Sequence, residues 1–558
     1  MAESAQNHAP VTFDTHPERY KHWSLEVDGA VARLTLSVDL NGGLRPGYEL
    51  KLNSYDLGVD IELADAVRRL RFEHPQVRVV VVSSGLPRVF CAGANIRMLA
   101  GSAHGFKVNF CKFTNETRCE FEDMSANSEV HWIAAVNGAC AGGGYELALA
   151  CDEIFLVDDG SSTVSLPEVP LLGVLPGTGG LTRVVDKRKV RRDHADLFCT
   201  KAEGFRLRDA KKMNLVDDGF PRSKWQEKID AKVAVALEAR GGVHDRAGVT
   251  LEPVKGVVSG EGSVTEITYE HVTVSIDRSQ RVASVTVRGP AGEPPQSPEA
   301  LFALGDEAWA LRAFRELDDA LLQLRFNHPT EGLILLRTTG DADKVLAWDT
   351  AISALRDGGD WFAREVQLHQ ARTLRRLDNM ARSMFALVEP GSCFAGVLYE
   401  VALSADRSYM LDDPDQPNHV QLHDVNFGRF RTHNGETRLA IRFLGDPERL
   451  QELSDMRDPV EAVDAEDLGL VTLSPDDLDW EDEVRIEIEE RVSLSPDGLT
   501  GMEQNLRFAG AETCDTKIFG RLTAWQNWIF QRPNAVGERG ALVMYGHPEK
   551  PVFDWKRT

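Results

Sequence analysis

Two glutamates, Glu146 and Glu168, stand in segments whose residue types suit proton transfer beside a carbonyl group. Glu146 lies in NGACAGGGYELALACD, residues 137–152, where a run of glycines marks the turn from a strand into a helix. Glycine lets the backbone approach a ligand closely, and the first turn of a helix presents N–H groups with no partner inside the helix. Those groups sit at the positive end of the helix dipole, so Gly143 is read as a donor to a developing oxyanion. VFCAGANI, residues 89–96, offers a second donor in the same way. Two such donors on one thioester oxygen stabilise an enolate or a tetrahedral intermediate, and losing one costs roughly 3 kcal/mol of transition-state stabilisation. Glu146 follows Gly143 by three residues and faces the same side of the new helix. Glu168 stands in LPEVPLLGVLPGTGG, residues 166–180, just before an apolar loop. Two carboxylates in one partly apolar pocket raise at least one pKa, which general acid–base work needs. Singly, each segment is weak, because glycine turns are mostly structural and lone glutamates mostly solvated. Together and in this order they are specific.

The elements that must position these residues recur along the chain. LADAVRRLRFEHPQVRVVVVSS, ending at Ser84, lies over LDDALLQLRFNHPTEGLILLRTT, ending at Thr339, and His74-Pro75 falls on His328-Pro329. GACAGGGYELALACDEIFLVDD from Gly138 lies over GSCFAGVLYEVALSADRSYMLDD from Gly391. A repeat of this length is a statement about the fold. In each copy an alternating strand pair (24–38; 272–287) precedes an amphipathic helix ending near Phe72 or Phe326. A buried apolar strand follows (77–82; 332–336), and a later strand, 133–136, runs into the glycine turn. Strands alternating with helices predict an α/β core. The expected organisation is a catalytic domain over 1–240, a linker over 241–265, a degenerate scaffold domain over 266–480 and a helical segment over 481–558 that mediates oligomerisation.

The second copy has lost what the chemistry needs. Gly143 falls on Val397 and Gly144 on Leu398, whose branched side chains block a close backbone approach. Gly93-Ala94-Asn95 falls on Ala347-Trp348-Asp349. Glu146 keeps a counterpart in Glu400, whereas Glu168 lands near His423-Asp424.

Bulk properties narrow the partners. The 558 residues exceed what one core supports, and 63 Lys+Arg against 87 Asp+Glu leave a formal charge of −24. Such acidity argues against nucleic acid or an anionic membrane as partner. Eight cysteines without a CxxC pair suit a reducing cytoplasm. The polar N-terminus has no apolar core of a signal peptide, and no apolar run reaches the length of a membrane span. The 15 scattered histidines form no metal-ligand spacing, and neither a P-loop nor a nicotinamide or flavin fingerprint is present.

The three segments around Glu146 and Glu168 resemble the enoyl-CoA hydratase/isomerase (crotonase) superfamily. Its signatures read FxAGADI, NGxxxGGGxELAxxCD and PExxLGxxPGxGG. The resemblance implies a ββα spiral core, here tandemly duplicated with a degenerate second copy and a C-terminal helical segment. It implies backbone N–H groups of Ala94 and Gly143 as oxyanion donors, and Glu146 and Glu168 as the paired acid and base, with their order left open. Coenzyme A would bend around Lys51-Leu52-Asn53, where the family carries KxLN, and Gly93, Asn95, Ile96 and Gly142 would line the substrate. Coenzyme A is then part of the substrate, and no cofactor is expected. Asn95 stands where the family has Asp, and the stretches 41–55, 158–165 and 169–170 are extended, which moves the reading away from simple 2-enoyl hydration.

Within the superfamily, the doubled length and the segment IFGRLTAWQNWIFQRPNAVGERGALVMYG, residues 518–546, resemble the benzoyl-CoA-dihydrodiol lyases. That resemblance implies non-oxygenolytic ring opening of 2,3-epoxy- or 2,3-dihydrodiol benzoyl-CoA to 3,4-dehydroadipyl-CoA semialdehyde and formate, in aerobic benzoate degradation. Release of a one-carbon unit needs a further base, and Cys111, on the pocket helix near Asn115 and Arg118, serves if its thiol pKa is lowered. The alternatives are an enoyl-CoA hydratase or isomerase acting on another acyl-CoA, and a non-catalytic scaffold. A homodimer through the terminal helices completes the expectation.

Overall fold

A computed structural model describes residues 9–558. Residues 1–8, the start of the polar N-terminal stretch, lie outside the described residues. The chain forms two compact units, one built from 13–253 and the other from 10–12 with 254–558.

The first unit holds two sheets. The larger has the order β1 (Trp23–Asp28), β2 (Val31–Leu36), β3 (Val79–Ser84), β5 (His131–Val136), β7 (Glu153–Asp158) and β9 (Asp218–Pro221). The hairpin β1–β2 is antiparallel, and every later pair is parallel. The smaller sheet is parallel, in the order β4 (Val89–Cys91), β6 (Ala139–Ala141), β8 (Val164–Ser165). Val79, Val80, Val81 and Val82 are all buried, so β3 is covered on both faces, as parallel strands are. One face, with Val81, Ile133 and Phe155, packs on Ile229 and Val233 of the helix Trp225–Ala239.

The winding explains how distant segments meet. The chain places β3 in the large sheet and β4 in the small one, then β5 and β6, then β7 and β8. A helix follows each small strand: Ile96–Gly101, Gly143–Ala150 and Glu168–Leu172. Because β4, β6 and β8 are parallel neighbours, all three strand ends leave at one edge. Ala94, Gly143 and Glu168 come together there.

The second unit has a seven-stranded sheet running from Val257–Glu261 to Arg407–Met410, antiparallel over its first three pairings and parallel afterwards. Two expectations about its limits need correction. The expected linker 241–265 contains most of a hairpin, Val257–Glu261 with Val264–Thr268, which pairs onto Val272–Asp277. Its two-residue turn uses Gly262 at φ +63°, the left-handed geometry that such turns require. Nor does 481–558 stand apart, since it belongs to the second unit. Trp480 and Val484, on the helix Trp480–Ser493, pack on Leu333, Phe385 and Tyr409 of the sheet. The sheet would otherwise expose that apolar face to water. The helical reading of the segment agrees with the structure, with the helices Trp480–Ser493 and Pro496–Leu506 followed by Cys514–Lys517 and Thr523–Ile529. Among the described residues no helix is long and apolar enough to cross a membrane, and no group of three His, Cys, Asp or Glu is placed to hold a metal ion.

Candidate active site

The two backbone donors read from the sequence follow the ends of adjacent strands, β4 and β6. Gly93 has φ +82°, and a Cβ there would stand 2.7 Å from the amide nitrogen of Gly143. Only glycine permits that approach. Tyr55 N–H donates to Gly93 O at 3.0 Å and Asn95 N–H to Tyr55 O at 2.8 Å, so Ala94 between them turns its own N–H the other way. Gly143 is the first residue of its helix, after Gly142 at φ +55°. Neither the Ala94 nor the Gly143 N–H has an acceptor among the described residues.

Glu168 lies against this edge. A Cβ on Gly142 would meet its Oε1 at 2.8 Å, so the carboxyl group rests on the glycine that precedes the Gly143 donor. Glu168 is 8% exposed, and its Oε2 is buried without a hydrogen-bond partner. Burial, and next the charge of Glu146, push its carboxyl up to about 7. A carboxyl group that titrates near neutrality can both accept and return a proton at working pH.

Glu146 is placed differently. It is 2% exposed, and the turn after the apolar loop clamps its carboxylate. Thr178 N–H donates to Oε1 at 2.9 Å, Gly180 N–H donates to the same oxygen at 2.8 Å, and the Thr178 hydroxyl donates to Oε2. Arg118 Nη1 stands 3.9 Å from Oε2. The PGTGG turn thus holds the Glu146 carboxyl group still.

Other expected residues fall into place or out of it. Asn95 caps the helix Ile96–Gly101 by accepting from Met98 N–H at 2.9 Å, and its amide donates to Glu49 O and Ser54 Oγ. Ile96 is exposed, as is Leu52 at φ +58°. Lys51 points outward and pairs with Glu49 at 2.7 Å. Asn53 does not present its side chain to a ligand. It is buried, accepts from Val38 N–H, and donates to Leu36 O, Ser84 Oγ and Phe90 O. Every bond of that amide goes to the protein, so Asn53 pins the 51–53 loop. The Cys111 expectation also fails on its own condition. Burial, and then Glu146, push the thiol up to about 11 rather than down. At neutral pH the Cys111 thiol stays protonated.

Several residues of the site carry no role in the sequence reading. Tyr55 and Thr178 are buried, and Asp60, beneath them, accepts from the Thr114 hydroxyl and is pushed up to about 6 by burial. Arg118, 1% exposed, reaches three of these elements at once. A buried arginine is indistinguishable in sequence from a solvated one, and only the helix face it shares with Cys111 hinted at it.

Residues 49–239 match the enoyl-CoA hydratase/isomerase family. Over 552 residues the chain is 55% identical to the benzoyl-CoA-dihydrodiol lyase of Aromatoleum evansii, with 98% of each chain covered. The chain belongs to that family, within the crotonase superfamily. It is also 33% identical over 216 residues to the fatty acid oxidation complex subunit alpha of Shewanella loihica, covering 38% of this chain and 28% of that one. A solved enoyl-CoA hydratase of Geobacillus kaustophilus is 33% identical, with 39% of this chain and 75% of that one covered and a TM-score of 0.34.

The second unit, by itself, shows what stands at the positions matched to this lyase-family site. Residues 347–349 lie inside a helix, Ala342–Asp357, rather than in a strand end. Asp349 is buried and its Oδ2 accepts from Val397 N–H at 2.7 Å, the position matched to Gly143. Burial raises Asp349 to about 8. Glu400 is bound by Asn426 and Arg438.

Proposed function

We propose that the chain opens the ring of 2,3-epoxy- or 2,3-dihydrodiol benzoyl-CoA, yielding 3,4-dehydroadipyl-CoA semialdehyde and formate in aerobic benzoate degradation. The observation that carries this is the Glu168 carboxyl group, poised near neutrality against Gly142 and beside the free Gly143 N–H. The full-length relative named as a benzoyl-CoA-dihydrodiol lyase supports the substrate class. In this reading Ala94 and Gly143 hold the thioester oxygen and make the carbonyl an electron sink. Gly93, Asn95, Ile96 and Gly142 shape the acyl pocket, and coenzyme A passes the exposed Lys51-Leu52 corner. Glu168 moves protons between ring oxygens and water, and the clamped Glu146 acts as its charged partner. The epoxide takes up two waters along this route and the dihydrodiol one, so carbon, hydrogen and oxygen balance. No cofactor enters beyond the coenzyme A of the substrate.

The second unit is a scaffold in this reading, since Asp349 fills the position matched to a donor and Asp424, near the position matched to Glu168, is exposed and paired with Arg457. A homodimer forms through the terminal helices, which expose Phe519, Leu522 and Phe530. The eight free cysteines suit a cytoplasmic setting. The test is to incubate the purified protein with each benzoyl-CoA derivative and measure formate. Turnover of crotonyl-CoA with no formate from either derivative would replace this reading with hydratase chemistry, and binding without any turnover would leave a scaffold.

A further inference from the structure

We propose that Arg118 is the positioning residue of this site: one guanidinium holds both oxyanion strands and the Glu146 clamp in register. The inference rests on the reading of Ala94 and Gly143 as the donors to the thioester oxygen.

Arg118 comes from the long helix His104–Asn127, which supplies none of the three signature segments. Its Nη2 donates to Gly143 O at 2.9 Å and to the Tyr55 hydroxyl at 2.6 Å. Its Nη1 donates to Thr178 O at 3.2 Å and to Thr178 Oγ1. Each bond fixes a different part of the site. The bond to Gly143 sets the first peptide of the donor helix. Tyr55 links to the other strand, because its backbone pairs with Gly93 and Asn95 on either side of Ala94. Its hydroxyl also packs on Gly143, where an added Cβ would stand 2.1 Å away. Thr178 is the residue whose N–H and hydroxyl grip Glu146.

Arg118 thus bonds directly to the second and third segments and reaches the first through Tyr55. The fork geometry matters: a planar guanidinium offers two parallel pairs of donors from a fixed frame, and a lysine offers one point charge. The guanidinium is buried and faces Glu146 and Asp60, so its charge belongs to the site rather than to solvent. Because it is buried with its bonds made to the protein, its effect passes through the donors it aims. A displacement of about 1 Å in such groups costs on the order of 100-fold in rate.

The experiment pairs turnover with an optical readout that needs none. An aryl thioester bearing a para hydroxyl, 4-hydroxybenzoyl-CoA, absorbs further to the red when its carbonyl is polarised by two aligned donors. Arg118→Met, Arg118→Lys and Tyr55→Phe are compared with the unaltered chain for kcat and KM in formate release, and for the red shift of the bound analogue. The expected result for Arg118→Met is a kcat lower by about 100-fold or more, a KM within about three-fold, and loss of most of the red shift. Arg118→Lys and Tyr55→Phe should fall between it and the parent. A full red shift in folded Arg118→Met would overturn the proposal. If that variant does not fold, an unchanged red shift and kcat in both milder variants overturns it instead. A red shift in the parent without formate would sink the ring-opening reading and leave this inference standing.

Discussion

Replacing Glu168 with glutamine should stabilise the protein while removing its activity, and the size of the gain follows from burial. The Glu168 carboxyl group titrates near 7 in the folded chain against an ordinary value of 4.5. Each pH unit between those values corresponds to 1.36 kcal/mol, so holding the charged form in place costs about 3 kcal/mol above neutrality. The direction follows from proton binding. Between pH 4.5 and 7 the folded state keeps a proton that the unfolded state has released, so stability falls as pH rises through that window. Below pH 4.5 both states are protonated and the cost vanishes; above 7 it is constant. Glutamine cannot ionise, so the variant escapes the cost. Unfolding free energies of parent and Glu168→Gln, measured from pH 4.5 to 8.5, should diverge through the window by about 2–3 kcal/mol and then run parallel. Activity adds a second reading. With Glu168 as the base, kcat/KM rises to a plateau near pH 7; with Glu168 as the acid, it falls beyond pH 7. A stability gap that stays flat across the whole range would refute the burial argument, and a rate profile with neither limb near 7 would remove Glu168 from the proton path.

Gly143→Ala should lower kcat by about 100-fold or more with little change in KM, since its Cβ would collide with the Tyr55 hydroxyl at 2.1 Å and disturb the donor. Cys111, raised to about 11, should react with iodoacetamide at pH 8 more than about 100-fold slower than free cysteine, and Cys111→Ser should keep kcat within about ten-fold. Fast alkylation would show that the thiol is ionised after all. Asn53→Ala should cost about 2–4 kcal/mol of unfolding free energy, because it removes a buried amide with four protein bonds, while folded protein keeps its kcat. A raised KM without lost stability would return Asn53 to the substrate.

Local pattern carried much of the fold. The four valines of β3, the glycine turn before Gly143 and the strand pairs at the head of each unit are short-range signals, and each element lies where its periodicity points. The pattern misled where composition and packing part company. Residues 241–265 look like a linker by their Gly and Val content, yet Gly262 turns 257–268 into a hairpin that a neighbouring strand accepts. The C-terminal helices read as a separate segment because their amphipathic faces are visible in sequence and the sheet they cover is not.

The glutamate pair shows where that boundary falls. Residue type and local glycine context were enough to single out Glu146 and Glu168, because a carboxylate beside a helix start is chemistry written in adjacent residues. What differs between the two came only from tertiary structure. Glu146 is held by Thr178 and Gly180, more than 30 residues away, and Glu168 rests its Oε1 on Gly142 and leaves its buried Oε2 without a hydrogen-bond partner. Arg118 bonds to residues 63 positions before it and 60 after it in the chain. The same holds for Cys111 and Asn53, whose types suggested a base and a ligand and whose surroundings keep the one protonated and make the other a pin. Burial and partnership are properties of the folded neighbourhood, and no window along the chain contains them.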